Sequence, residues 1–73
     1  MTISELLQTV GADVAVRINV LGQHELTGVC GPRKTQNMLR RLDAISCEDA
    51  YVIRMYPLFR CRELYIECVN VLE

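Results

Sequence analysis

The apolar residues of this chain change from helical spacing to strict alternation twice, and this double change limits the folds open to it. Thr2 and Glu5 have capping-box spacing, and apolar residues then recur at helical spacing over residues 2–10. Over residues 13–20 every second residue is apolar, which is typical of a half-buried strand. The start of the chain is therefore predicted to form a short helix followed by a strand.

A hairpin and a second helix are predicted next. Gly22 can turn the chain into a weaker strand over residues 24–30, which Gly28 interrupts. Pro32 follows directly and is predicted in the first turn of a helix, where its missing N–H has no partner to lose. The buried stripe of that helix is predicted to be Met38, Leu39, Leu42 and Ile45.

A second hairpin completes the pattern. Residues 51–56 are rich in strand formers and are expected to stop at Pro57, and residues 63–71 alternate again. The order α-β-β-α-β-β predicts an α+β fold, a four-stranded antiparallel sheet with both helices on one face. The whole chain, residues 1–73, is predicted to be one small domain, because this length has room for one core.

Composition and charge narrow the function classes. Lysine and arginine number 8, aspartate and glutamate number 9, and the formal net charge is −1, which argues against general nucleic-acid binding. Secretory-signal features are absent from the first ten residues, and no stretch approaches the ~20 apolar residues of a membrane span. We expect a cytoplasmic protein that does not engage a membrane.

The four cysteines are expected to pack as small apolar side chains. Cytoplasmic thiols stay reduced, which disfavours a disulfide framework. The cysteines have no close C-x-x-C spacing and His24 is the single histidine, so we predict neither a metal site nor a cofactor. A metal site or a redox sensor is the alternative. The four are Cys30, Cys47, Cys61 and Cys68.

Catalytic machinery is not evident in the residue pattern. The neighbouring acids Glu48 and Asp49 fall at a probable turn, and Glu63 and Glu67 alternate along a strand where solvent suits them. Nucleophilic catalysis needs a base beside a cysteine or serine, and nothing ties His24 to either. We therefore predict that the protein is not an enzyme.

A candidate anion-binding edge lies at the start of the second helix. Residues 28–35 resemble the phosphate-binding G-x-x-x-x-G-K-[ST] loop, but Arg33 stands in place of the second glycine. Free N–H groups at a helix start beside basic side chains can still bind phosphate or carboxylate. The predicted ligand-binding residues are Arg33, Lys34, Thr35, Arg60 and Arg62. The alternatives are an ordinary solvated helix end and, for Arg60 and Arg62, a charged hairpin tip.

The sheet face away from the helices is predicted to be a contact surface. Its expected occupants include Ala15, Val52 or Ile53, and residues of the last strand. This set is apolar for water-facing positions, which favours a homo-oligomer, a dimer or higher. Alternatively, the end of the last strand packs under the terminal helix of the same chain. The predicted protein-interface residues are Arg40, Arg41, Tyr65, Val69 and Val71.

Residues 1–7, the first hairpin, and residues 51–58 with the strand that follows resemble small accessory proteins encoded by phages and prophages. This resemblance implies stoichiometric work without catalysis in the cytoplasm of a host cell. Inhibition of a host defence protein by binding is the first expectation. The alternative is a homo-oligomer that binds and sequesters a phosphorylated small molecule or signalling nucleotide without cleaving it.

Overall fold

Two helices lie on one face of a four-stranded sheet in the structure, a computed structural model that describes residues 1–70. Neither helix in this part of the chain has the length and apolar character needed to cross a bilayer. In chain order the elements are α1 (Ile3–Gln8), β1 (Val14–Val20), β2 (His24–Cys30), α2 (Thr35–Ala44), β3 (Tyr51–Leu58) and β4 (Glu63–Val69).

The sheet is mixed, so the expectation of a fully antiparallel sheet is wrong. Its strand order is β2-β1-β4-β3, with two antiparallel hairpins joined by a parallel pairing of β1 with β4. Burial explains the order, because β1 and β4 supply most of the fully buried strand side chains and therefore take the centre. The strands that carry Gly28 and Pro57 are left at the two edges.

The N-terminal residues cover part of the β3 edge. The Thr2 hydroxyl accepts the Glu5 N–H at 3.2 Å and completes the predicted capping box at the start of α1. On either side of this cap, the Val52 N–H donates to the Met1 carbonyl at 2.9 Å, and the Ile3 N–H donates to the Ala50 carbonyl at 2.7 Å. Thr2 thus forms a single β-bridge with Tyr51, the first residue of β3.

Both prolines differ from the prediction in their place within the secondary structure. Strand β3 continues through Pro57 to Leu58, and the Val52 N–H points away from β4 because it donates to Met1. The backbone nitrogen of Pro57 also points away from β4. Val52 lies opposite Cys68 and Pro57 lies opposite Leu64, and these two partners are four residues apart on the same face of β4. Pro57 therefore costs no ladder hydrogen bond. Pro32 lies in the turn before α2, which begins only at Thr35.

One core fills the space between the helices and the sheet. The predicted stripe of α2 is confirmed, with Met38 and Leu42 buried and the other two members partly buried. A Cβ on Gly28 would lie 2.7 Å from Met38 Cε, so glycine here permits α2 to approach β2 closely. The buried core residues are Ile3, Leu7, Val16, Ile18, Val20, Cys30, Met38, Leu42, Cys47, Ala50, Ile66 and Cys68.

Candidate functional site

An apolar groove lies at one end of the sheet, beside the turn that joins β3 to β4. We call it the hairpin groove; its volume is about 320 Å³. Phe59, at the turn, is 85% exposed, which is the largest exposure among the big apolar side chains of the described residues. An exposed aromatic ring beside an apolar groove is typical of a contact surface. The groove is lined by Val14, Pro57, Leu58, Phe59, Arg62, Glu63 and Leu64.

The groove is open because the helices cover only part of their sheet face. Helix α2 packs on β2 and α1, at the far side of the sheet from β3. Met55 lies opposite the core residue Ile66 and so belongs to the helix-covered face, yet it is 49% exposed. Pro57, two residues further along the same strand, is exposed as well. The β3 half of this face therefore presents apolar side chains to solvent.

The outer edge of β3 offers little backbone for another strand to pair with. Near its start, the Met1 carbonyl already accepts the Val52 N–H, and the Ile3 N–H bonds to Ala50, directly before the strand. The pairing register with β4 shifts between Val52 and Arg54, and Pro57 has no N–H to donate. Irregularities and prolines of this kind protect sheet edges from strand addition. Any docking at this end of the sheet therefore depends on side chains.

Basic residues lie at the same end of the sheet as the hairpin groove, and one of them, Arg62, lines it. β1 and β4 are parallel and start at this end of the sheet, β2 and β3 finish there, and α2 follows β2 directly. This topology brings all the predicted anion-binding residues to one end of the molecule. Within residues 1–70, the only ion pair that includes one of these predicted residues joins Lys34 Nζ to Asp13 Oδ2 at 2.9 Å. The predicted cations at this end are Arg33, Lys34, Arg60 and Arg62.

The predicted anion seat at the start of α2 is already used by the chain itself. The Thr35 hydroxyl is buried, donates to the Leu7 carbonyl at 3.2 Å and accepts the Gly31 N–H at 3.2 Å. The backbone N–H groups of Lys34 and Thr35 both donate to the Gly31 carbonyl at 3.1 Å. A cleft of about 240 Å³ lies beside this turn, and of the predicted anion-binding residues Thr35 alone lines it.

A carboxylate of the chain lies where an external anion was predicted. A Cβ on Gly31 would clash with Asp13 Oδ1, so Asp13 packs against the turn that begins α2. The same carboxylate pairs with Lys34. Asp13 was not among the predicted site residues, and the sequence signal for it was its position directly before β1. Arg33 is exposed and carries no ion pair within residues 1–70.

The open face of the sheet is crossed by a polar network, so it is more polar than predicted. Arg17 Nη2 donates to Glu63 Oε1 at 3.1 Å, and Arg17 Nη1 lies 3.7 Å from Glu25 Oε1. Asn19 Nδ2 donates to the Tyr65 hydroxyl at 3.0 Å, and that hydroxyl donates to Glu67 Oε1 at 3.2 Å. Opposite charges therefore compensate one another within the chain across the middle of this face.

The predicted interface residues fall on different surfaces. Arg41 Nη1 donates to the Thr27 carbonyl of the edge strand β2 at 2.7 Å, whereas Arg40 is exposed on α2. Tyr65 and Val69 are half-buried on the open face. Val71 lies outside the described residues.

The apolar residue expected from β3 on the open face is not Val52. Val52 lies opposite Cys68 and packs against the core on the helix side. The register shift in β3 lets Ile53 remain exposed and turns Arg54 toward Glu67, where Nη1 and Oε2 lie 3.9 Å apart. Tyr56 follows on the open face and packs on Tyr65, with ring centroids 4.9 Å apart.

The cysteines divide into three buried thiols and one exposed thiol. Cys30, Cys47 and Cys68 are buried, and Cys61 is exposed in the β3–β4 turn. Burial, with a smaller contribution from Cys47, raises the pKa of Cys68 to about 11. A neutral buried thiol is a poor nucleophile and a poor metal ligand. Within residues 1–70, no three His, Cys, Asp or Glu side chains are grouped so that they could hold a metal ion.

Acidic residues gather at the opposite end of the molecule from the hairpin groove. Asp43 lies near the end of α2, and Glu48 and Asp49 lie in the turn that leads to β3. The charge of Asp43 is the main cause of the raised pKa of Glu48. The molecule therefore has a basic end and an acidic end.

The hairpin groove itself was not predicted from the sequence. Arg60 and Arg62 were singled out, but the apolar residues that they flank were assigned to a strand and a turn. The signal in the sequence was the run from Pro57 to Phe59, which places large apolar side chains directly before the arginine pair. Searches among protein families, curated proteins and solved structures find no match to this chain.

Proposed function

We propose that this chain is a non-enzymatic accessory protein of a phage or other mobile element, which acts by stoichiometric binding and inhibits a host defence protein. The hairpin groove is its docking surface. The observation that carries the proposal is the 85% exposure of Phe59 beside an apolar groove that the helices leave open. Solvent-exposed apolar surface of this kind is costly to a small protein unless a partner covers it.

The chemistry of the described residues supports binding over catalysis. Three of the four thiols are buried, and burial raises the pKa of each. The acids of the open face, Glu25, Glu63 and Glu67, lie close to arginines. Groups committed to internal ion pairs are poorly placed to transfer protons to a substrate.

The test is a charge-neutral change at the centre of the docking surface. We expect Phe59→Ser to abolish co-purification of the partner at one-to-one stoichiometry and to abolish inhibition of its activity. An exposed side chain contributes little to folding, so the unfolding free energy should change by less than about 0.5 kcal/mol. The matched control is Leu21→Ser, which removes a side chain 41% exposed at the opposite end of the sheet. Equal loss of the complex in both variants, or in neither, contradicts the proposal.

A second candidate is sequestration of a phosphorylated small molecule or signalling nucleotide. One observation favours it: Arg33, Arg60 and Arg62 lie at one end of the molecule without ion pairs among residues 1–70. The internal use of Lys34 and Thr35 weighs against it. A melting temperature raised by a nucleotide in the wild type, and no longer raised in Arg62→Ala, supports this candidate. An unchanged melting temperature across a broad nucleotide panel rejects it.

A further inference from the structure

Resting on the proposed docking function, we infer that the partner presents an acidic segment, in which an aromatic or large aliphatic side chain is flanked by carboxylates. The apolar lining of the hairpin groove receives the central side chain. The arginines beside the groove then pair with the flanking carboxylates. Recognition therefore combines burial of one apolar anchor with charge complementarity at its rim.

The charges beside the groove are unbalanced. Arg62 lines the groove and Arg60 lies two residues before it in the same turn. The two acids nearest in the chain and sheet are already paired, Glu63 with Arg17 at 3.1 Å and Asp13 with Lys34 at 2.9 Å. Among residues 1–70, neither Arg60 nor Arg62 has an ion pair. A partner that covers the groove must desolvate these arginines, and carboxylates offset that cost best.

A second copy of this chain is a poor occupant of the same groove. Symmetric pairing of two hairpin tips would place Arg60 and Arg62 near the same residues of the other copy, and facing like charges repel each other. Strand pairing along β3 is restricted by the register shift after Val52 and by Pro57. Both considerations favour a different molecule of opposite charge.

The chain contains no tryptophan, which permits a direct binding assay. The probe is a short synthetic peptide with one tryptophan between glutamates, and its indole emission shifts to shorter wavelength when the ring enters the groove. We expect binding to weaken by at least about tenfold in Phe59→Ser, in Arg62→Glu, and between low and high salt. The matched control His24→Glu adds a negative charge at the exposed start of β2, at the opposite end of the sheet, and should leave the affinity within about twofold.

Cys61 provides an independent readout of position. It is the one exposed cysteine of the four and lies between Arg60 and Arg62. We expect a saturating concentration of the glutamate–tryptophan peptide to slow alkylation of Cys61 at least about tenfold, and to leave its rate unchanged in Phe59→Ser. Alkylation at the wild-type rate in the presence of bound peptide would place the peptide elsewhere and overturn the inference.

Two further peptides and a nucleotide separate the remaining outcomes. Equal binding of a lysine-flanked tryptophan peptide overturns the acidic partner and leaves an apolar docking groove. Equal binding of a nucleotide, or of a glutamate peptide without tryptophan, indicates a simple anion site and also overturns it. If no peptide binds, the inference fails, yet loss of the cellular complex in Phe59→Ser would still support the proposed function. A cellular complex that survives Phe59→Ser contradicts the proposed function instead.

Discussion

At the scale of single residues, the Thr35 hydroxyl joins α1 to the start of α2. It donates to the Leu7 carbonyl and accepts the Gly31 N–H, both at 3.2 Å and both buried. Thr35→Val keeps the shape of the side chain but removes the acceptor of the Gly31 N–H and one of the two donors to the Leu7 carbonyl, which keeps the Val10 N–H at 3.4 Å. We expect the unfolding free energy to fall by about 1–3 kcal/mol, measured by urea denaturation. The exposed Thr27→Val is the control and should change it by less than about 0.5 kcal/mol. Equal stability of the Thr35 variant and the wild type would show that both bonds are dispensable.

Thr35 also shows what a residue pattern can and cannot reveal. The sequence places a threonine after a basic pair at a helix start, and this pattern fits an anion site as well as a buried bridge between helices. Only the position of Leu7 above it distinguishes the two, and that position depends on the packing of α1. Lys34 is similar, because its pairing with Asp13 joins residues that are distant in sequence. Residue types were therefore predictable here, whereas their partners were not.

At the scale of elements, helix and strand identities followed from local patterns, but strand order did not. The capping box of α1 and the stripe of α2 are local signals, and the structure confirms both. The parallel pairing of β1 with β4 arises from competition between strands for the centre of the sheet, which no local pattern encodes. The sequence predicts Pro57 as the end of a strand, because its position on an edge strand depends on strand order. The hairpin groove was missed for the same reason.

The turn between α2 and β3 carries a repulsion that depends on pH. The charge of Asp43 raises the pKa of Glu48, so the folded protein binds a proton there more readily than the unfolded chain does. Stability therefore falls as pH rises through this range, and we expect Glu48→Gln to raise the melting temperature at pH 7. The gain should disappear in acid, where Glu48 is protonated in both states. Melting curves of the wild type and of Glu48→Gln, recorded from acid to neutral pH, measure this gain in melting temperature.

The pKa of Glu5 is shifted in the opposite direction from that of Glu48. Hydrogen bonds from the Thr2 backbone N–H and hydroxyl lower the pKa of Glu5, so its contribution is present at neutral pH and is lost as pH falls. Glu5→Ala should therefore lower the melting temperature at pH 7 and have little effect in acid.

The Glu48 prediction has its own contradicting outcome. If Glu48→Gln raises the melting temperature as much in acid as at pH 7, repulsion from Asp43 is not the cause of the increase.

At the scale of the whole molecule, two surfaces are available for contact and they lie on different sides. The hairpin groove is at the basic end, and the open face carries Tyr56, which is 41% exposed beside the internally compensated polar network. Charges that already have partners within the chain can be covered without leaving new unpaired groups. A chain of 73 residues buries only about 60% of its unfolded surface, so a partner subunit adds valuable stability. We propose that the open face mediates self-association.

This proposal separates the oligomer from the docking function. We expect native mass spectrometry to show a dimer or a higher homo-oligomer for the wild type, and a monomer for Tyr56→Asp, because the contact between subunits would then bury a carboxylate in place of the ring that packs on Tyr65. Phe59→Ser, which changes the other surface, should keep the oligomer of the wild type. A wild type that stays monomeric at high concentration contradicts self-association, and the docking groove would then operate on a single subunit. A monomeric Phe59→Ser variant would instead show that the hairpin tip joins the subunits, in conflict with the repulsion expected between Arg60 and Arg62 of two copies.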